Sequence, residues 1–375
     1  MRILMFSGYS HPSHHRKAEL LADAPDVDLV HILQPGNGKE TGRHASANGQ
    51  RTYQVYVLPV RSLGKPGDPH RTIHWPPRFG LSTFKPDLIH CEHEQEGLMA
   101  VEVAMARQWA APGVPLILYS WQNILRRRGW LVRQASAFTL RSAQHIICAS
   151  HEGVSVLTRQ GYRGSSGVQP LFGLDTRFFQ PRPNPERRAH LNLANCVVGY
   201  VGRLVPEKGV DLLVQAVARV EAPLQALIIG SGPEGPRLQA LARDLGIEAR
   251  CRFTEAVSYD AVPDYLSLMD ILVLPSRTTS NWKEQYGRVL VEAMACKVAV
   301  VGSSSGAIPE VICQAGRIFP EGDVAALARV LGELADAPAE RSALAERGYQ
   351  RAVQNYTVER LAADILELWR RLRQP

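Results

Sequence analysis

A chain of 375 residues, 45% apolar and 21% charged, is too long for one hydrophobic core and reads as two soluble globular domains. It has no run of about 18 uncharged apolar residues, which excludes a membrane-spanning helix. Its six cysteines are spread singly with no Cys-x-x-Cys pair, which argues against a disulfide framework or a zinc site. The net charge of +7 is unevenly placed: residues 1–180 hold 20 Lys and Arg against 13 Asp and Glu, and the rest balances at 23 of each. That asymmetry points the first half toward an anionic partner, such as an acidic acceptor or an anionic membrane surface, or toward a plain solvated basic face.

The chain opens on Arg2–Phe6 and Ser7-Gly8, which read as a buried strand and its turn rather than a signal peptide, so a cytoplasmic protein is expected, at most peripheral on the inner membrane face. Further strand-like runs follow at Val27–Leu33, Tyr53–Val60, Asp87–His90, Pro115–Tyr119 and His145–Ala149. In the second half they recur at Cys196–Val201, Ala226–Ile229, Arg250–Phe253, Ile271–Pro275 and Val298–Val301. Helix-like stretches such as Gly97–Trp109, Val210–Val220, Pro236–Leu245 and Val289–Ala295 lie between them. Strands alternating with helices predict parallel sheets covered on both faces, and two successive sets predict two doubly wound α/β domains facing a central cleft. Three prolines in Gln180-Pro181-Arg182-Pro183-Asn184-Pro185 set the boundary, giving domains over 1–180 and 181–355. Val358, Leu361, Ile365, Leu366, Trp369 and Leu372 recur at helical spacing, so residues 356–375 are expected to form a C-terminal helix that packs back on the first domain.

Ligands of open α/β sheets bind at the carboxyl ends of the strands. After Val197–Val201 comes Gly202-Arg203-Leu204-Val205-Pro206-Glu207-Lys208-Gly209, a strand-to-helix loop in which glycine lets backbone approach a ligand and Arg203 and Lys208 would converge on an anion. Gly230-Ser231-Gly232-Pro233 ends the next strand in the same manner, and no P-loop sequence is present. In Glu284-Gln285-Tyr286-Gly287-Arg288-Val289-Leu290-Val291-Glu292, Gly287 marks a helix start whose free N–H groups attract phosphate. Glu292 sits inside that helix among apolar residues and needs donors, which the paired hydroxyls of a ribose would supply. The bland alternatives are a basic surface loop and two carboxylates without a ligand.

Taken in order, Gly202-Arg203-x4-Lys208-Gly209, Gly230-Ser231-Gly232-Pro233, Pro275-Ser276, Glu284-x7-Glu292-Ala293 and Ser304-x-Gly306-x-x-Pro309-Glu310-Val311 resemble family 4 of the glycosyltransferases, the retaining group with the GT-B fold. Ala307 stands where a second glycine is usual. In the first half, Asp87-Leu88-Ile89-His90-Cys91-Glu92-His93 looks like the family's Asp-x-x-His-x-His segment, and Leu171-Phe172-Gly173-Leu174-Asp175 resembles its Asn-Gly-Val-Asp element with Phe172 replacing Asn. Ser7-Gly8-Tyr9-Ser10-His11-Pro12-Ser13-His14-His15-Arg16-Lys17 departs from the family's Gly-Gly loop beside the donor phosphates.

The resemblance implies an acceptor-side first domain and a nucleotide-sugar-binding second domain. It implies that Arg203 and Lys208 hold the diphosphate, Glu292 the ribose, and Glu284 with the backbone of Gln285, Tyr286, Gly287 and Arg288 the transferred sugar. Gly8, Gly202 and Gly230 would line the donor, and His93 would sit beside the anomeric carbon. It further implies transfer from a nucleoside diphosphate sugar with retention of configuration, by front-face attack, with cations replacing a metal; no cofactor and no nucleic-acid partner are expected, and the acceptor is unassigned. A GT-B sugar-nucleotide epimerase or phosphorylase is the alternative enzyme, and a basic polyanion- or membrane-surface-binding protein the alternative of another class. His11, His14 and His15, or His90 with His93, are the alternative metal ligands. Arg126-Arg127-Arg128-Gly129-Trp130-Leu131-Val132-Arg133 joins four arginines to an interface-seeking tryptophan and is the candidate contact with an anionic membrane.

Overall fold

The computed structural model describes residues 1–8, 12–35, 39–63, 71–74, 81–193 and 196–373, and for residues 12–14 and 82 the backbone alone. The loop Ser7–Lys17 therefore falls partly outside the described residues, with His11 and the His14 side chain, as does much of 62–80. The chain divides into two units, residues 1–173 with 358–375, and residues 174–357.

In the first unit the strands are β1 (Arg2–Ser7), β2 (Asp28–Leu33), β3 (Gly42–Ala45), β4 (Thr52–Val57), β5 (Val60–Ser62), β6 (Thr72–His74), β7 (Leu88–Glu92), β8 (Leu116–Ser120), β9 (His145–Cys148) and β10 (Ser165–Val168). Eight of them form one sheet in the order β10-β9-β8-β7-β1-β2-β4-β3, parallel throughout except for β3 against β4. Ile3 of β1 lies opposite Leu29 on one side and Leu88 on the other. The central strands are apolar on both faces because helices cover both: β1, β7, β8 and β9 are buried almost throughout. Strand order reverses between β1 and β7, which makes the carboxyl ends of those two strands the switch point of this sheet.

The C-terminal helix Val358–Arg373 completes this unit. It buries Val358, Leu361, Ala362, Ile365, Leu368 and Trp369, the last four in the core that contains Ile3, Met5, Leu29 and Ile117. The indole of Trp369 stands edge-on to His90, 5.8 Å between ring centroids, and Nε1 donates to His90 Nδ1 at 3.2 Å. His90 is thereby a core histidine that ties the last helix to β7.

The second unit holds β11 (Cys196–Val201), β12 (Leu224–Ile229), β13 (Cys251–Thr254), β14 (Ile271–Leu274), β15 (Ala299–Ser303) and β16 (Arg317–Phe319), in the wholly parallel order β13-β12-β11-β14-β15-β16. Val198 of β11 faces Ala226 and Ile271. Here the reversal falls between β11 and β14. The division between the units comes at Gly173, ahead of the proline-rich joint. Residues 178–182 pack within the second unit: Phe178 stacks on Tyr259 at 5.4 Å, and the Arg182 N–H donates to Ser267 Oγ at 2.9 Å. Among the described residues no helix is long and apolar enough to cross a membrane.

Candidate active site

The loops after β11 and β12 are stitched together before any ligand is considered. The Gly202 N–H donates to the Ile229 carbonyl at 3.0 Å, the Leu204 N–H to Ser231 at 3.0 Å, and the Glu234 N–H to Leu204 at 3.0 Å. A Cβ on Gly230 would stand 1.8 Å from the Gly202 carbonyl oxygen, so glycine is required there by loop-on-loop contact. Buried Tyr200 donates its hydroxyl to the Arg203 carbonyl at 2.8 Å and fixes the loop, leaving the Arg203 side chain exposed.

Lys208 ends a 3₁₀ turn, Pro206–Lys208, and left-handed Gly209 (φ 64°) starts the helix Val210–Arg219. This turn does not leave Lys208 at large in solvent. Its Nζ lies 2.6 Å from Glu284 Oε2, and the same oxygen accepts from Ser276 Oγ at 2.9 Å. Ser276 follows β14, so the ion pair sits across the switch point of the second sheet. Glu284 is buried, and Lys208 supplies the opposite charge that a buried carboxylate requires. Residues 76 apart in sequence are thus brought into one constellation.

Gly287 takes the left-handed conformation (φ 74°) that opens the helix Arg288–Ala295, with its free N–H groups at the same end of the sheet. Glu292 is buried, and burial pushes its carboxyl above the ordinary value while Arg288 opposes that shift. Arg288 Nε lies 3.0 Å from Glu292 Oε1 without a well-aligned hydrogen bond to it, and the guanidinium covers the ring of Tyr259 at 5.5 Å. Tyr286 turns its ring into the core beside Tyr356, 6.1 Å between centroids, so only its backbone is left for a ligand. Gln285 is half-buried beside it. The Ser304–Val311 element packs on this segment: the Ala307 N–H donates to the Glu284 carbonyl at 3.0 Å, and a Cβ on left-handed Gly306 would come within 2.1 Å of that oxygen.

In the first unit the switch point holds Gly8 after β1 and His93 after β7. A Cβ on Gly8 would stand 2.2 Å from His93 Cε1, so this glycine is what lets the imidazole lie against the first loop. Directly before His93, Glu92 is buried and paired with Lys17, which also donates to the Leu171 carbonyl at 3.0 Å. Ser7 Oγ donates to Glu92 Oε2 at 2.7 Å and meets His31 Nε2 at 3.0 Å. The Lys17–Glu92 pair carried no recognisable signal, since a lysine in a first helix and a glutamate at a strand end are ordinary apart. Arg128, one of the four arginines of 126–133, is bound to buried Glu96 through two donors. Trp130 and Leu131 stay 63% and 73% exposed. Among the described residues, no three His, Cys, Asp or Glu side chains cluster as metal ligands. His90 and His93, the alternative metal pair, are separated here, His90 to the core and His93 to the sheet's carboxyl edge.

The arrangement defines a class: two doubly wound units, each with charged or imidazole side chains at its switch point. Residues 15–168 match the glycosyl transferase 4-like domain, and residues 184–351 match glycosyl transferases group 1. The chain belongs to family 4 of the GT-B glycosyltransferases. It is 32% identical over 230 residues, 57% of this chain and 60% of the relative, to a GDP-mannose-dependent alpha-(1-6)-phosphatidylinositol monomannoside mannosyltransferase of Mycolicibacterium smegmatis. It is 30% identical over 277 residues, 72% of this chain and 61% of the relative, to the MMP alpha-(1->4)-mannosyltransferase of Mycolicibacterium hassiacum. The matched segments thus span about three fifths of these relatives' length. Among solved structures, a sucrose-phosphate synthase from Thermosynechococcus elongatus shares the fold with a TM-score of 0.73 at 20% identity, covering 99% of each chain. Anabaena HepE in complex with UDP does so with a TM-score of 0.73 at 21% identity, covering 98% of this chain and 99% of its own.

Proposed function

We propose that the protein transfers a sugar from a nucleoside diphosphate donor to an acceptor hydroxyl, with retention of configuration and without a metal. The observation that carries this reading is the Lys208–Glu284–Ser276 constellation at the switch point of the second sheet, beside the N-terminus of the helix Arg288–Ala295. Departure of a nucleoside diphosphate builds negative charge, and fixed cations and helix N–H groups stabilise it, the task a divalent metal performs elsewhere. Arg203 and Lys208 are assigned to the diphosphate and Glu284, with the backbone of Gln285–Arg288, to the transferred sugar. Glu292 is assigned to the ribose, whose hydroxyl donors would satisfy an oxygen that accepts no aligned hydrogen bond. Gly8 is assigned to the donor and His93 to the reacting carbon, on the family resemblance of their segments. The Mycolicibacterium smegmatis relative named above is described as GDP-mannose-dependent, and the HepE structure was solved with UDP, so guanine and uracil donors are the first to test.

A panel of GDP- and UDP-sugars in a thermal-shift assay tests the donor. A ligand at about 100 times its dissociation constant stabilises by about 2.7 kcal/mol, which moves the melting temperature measurably. A shift with one or more of the donors is the expected outcome, and none with any would overturn the assignment. Turnover of the bound donor should persist in excess EDTA; full loss that manganese or magnesium restores would remove the metal-free mechanism.

The first unit supports one further partner. Trp130 and Leu131 stand exposed at the start of the helix Trp130–Ser142, flanked by exposed Arg126, Arg127 and Arg133, a pairing of ring and cation suited to an anionic membrane surface.

A further inference from the structure

The segment between β14 and Glu284 is anchored at both ends. The Arg277 N–H donates to the Glu207 carbonyl at 2.8 Å, and its guanidinium donates to Asp211 Oδ2 at 2.7 Å. Thr278 Oγ1 donates to Glu321 Oε2 at 2.7 Å and meets Ser305 Oγ at 3.1 Å. A tight turn follows: the Thr279 N–H donates to the Trp282 carbonyl at 2.8 Å, and the Trp282 N–H donates back to Thr279 Oγ1 at 2.9 Å. These polar ties hold the backbone on either side of one large side chain, Trp282, whose ring face receives the ammonium of Lys208 at 4.7 Å from its centroid. The same ammonium is held by Glu284 at 2.6 Å.

A lysine ammonium has three donors on a flexible four-carbon stem, so a single carboxylate sets its distance and leaves its direction loose. An indole face supplies a second, broad attraction, strongest among the aromatic side chains, without consuming a donor. We propose that Trp282 is a positioning residue that aims the Lys208 ammonium at the departing diphosphate. Glu284 and Trp282 together fix the stem, and the donors not used by the carboxylate are left for phosphate oxygens. This rests on the reading of Lys208 as a diphosphate ligand. It adds a requirement: the contact must be aromatic, because bulk alone would fill the space without attracting the charge.

Three variants separate these terms, Trp282→Phe, Trp282→Leu and Trp282→Ala, each checked for an unchanged far-UV spectrum and melting temperature. The probes are GDP and UDP by titration calorimetry, with guanosine and uridine as phosphate-free controls. Turnover is measured on whichever nucleotide sugar the wild type uses. Trp282→Phe is expected to bind the diphosphate within about threefold of wild type, and Trp282→Leu and Trp282→Ala about tenfold more weakly, the scale of one cation–π contact. Nucleoside binding should not change. The turnover number should fall in the Leu and Ala variants with the donor KM changing less, because the charge Lys208 meets is greatest in the transition state. Equal diphosphate affinity and turnover in the Leu and Phe variants would overturn the proposal, as would an Ala variant indistinguishable from wild type. A wild type that binds neither diphosphate would instead overturn the donor assignment on which the proposal rests.

Discussion

Arg203 and Lys208 carry the same charge on one loop, yet the fold treats them differently. Arg203 is exposed, so Arg203→Ala is expected to lower turnover by about two orders of magnitude, the scale of one lost transition-state contact, with the melting temperature unchanged. Lys208→Ala should lower turnover by as much or more and also cost about 2 kcal/mol of stability, because it strands the buried Glu284 carboxylate. Steady-state kinetics with denaturant unfolding of both variants checks this; near-normal turnover in both would remove them from the site. Glu292 offers a pH test. Its folded-state pKa is raised by burial, so the folded protein holds this proton to higher pH than the unfolded chain does. Stability is therefore lost as pH rises through the gap between the two values and is flat above it. Glu292→Gln removes that loss, so the variant's melting temperature should gain on wild type as pH rises above the ordinary glutamate range; a difference that stays constant with pH would contradict the raised value. Candidate site residues could be nominated from the sequence because Gly202, Arg203 and Gly230 follow strands in order and Glu292 falls among apolar helix residues. Their partners could not: Lys208 with Glu284, Lys17 with Glu92 and Trp369 with His90 lie 76, 75 and 279 positions apart, and no local spacing encodes such contacts.

Among the elements, the strands legible in the sequence include those buried on both faces: β1, β7, β8, β11, β12, β14 and β15 are short, nearly continuous apolar runs. The partly exposed β4 and β13 were legible as well, through Tyr53 with Val55 and Cys251 with Phe253 at alternate positions. Gly42–Ala45, Ser165–Val168 and Arg317–Phe319 escaped, because each is a short edge strand with at least half its residues in solvent and no apolar alternation to announce it. The C-terminal helix was legible by its apolar period, and its closest contact carries a stability prediction. Trp369 is wholly buried, and Trp369→Ala should cost about 3–5 kcal/mol, read as an earlier unfolding transition for the first unit. A loss under about 1 kcal/mol would mean that the helix is not part of that unit's core.

Over the whole molecule, the surplus charge of the first 180 residues and the exposed Trp130–Leu131 pair make a membrane test decisive. Co-sedimentation with anionic vesicles at low salt should exceed that with neutral vesicles and fall as salt rises, since surface attraction is screened over about 10 Å at 0.1 M. Trp130→Ala with Leu131→Ala should weaken it; absence from both pellets would end the membrane reading. The discontinuity of the first unit has a separate bearing, on synthesis. Residues 174–357 are continuous and can close as soon as they leave the ribosome. The first unit cannot, because Trp369 must reach His90, 279 residues upstream. Until then the core around Ile3, Met5 and Leu29 lacks the helix that covers it, and exposed apolar surface in a nascent chain is what chaperones bind. The half made first is therefore finished last, and a chain released after residue 357 would hold one closed domain and one open one.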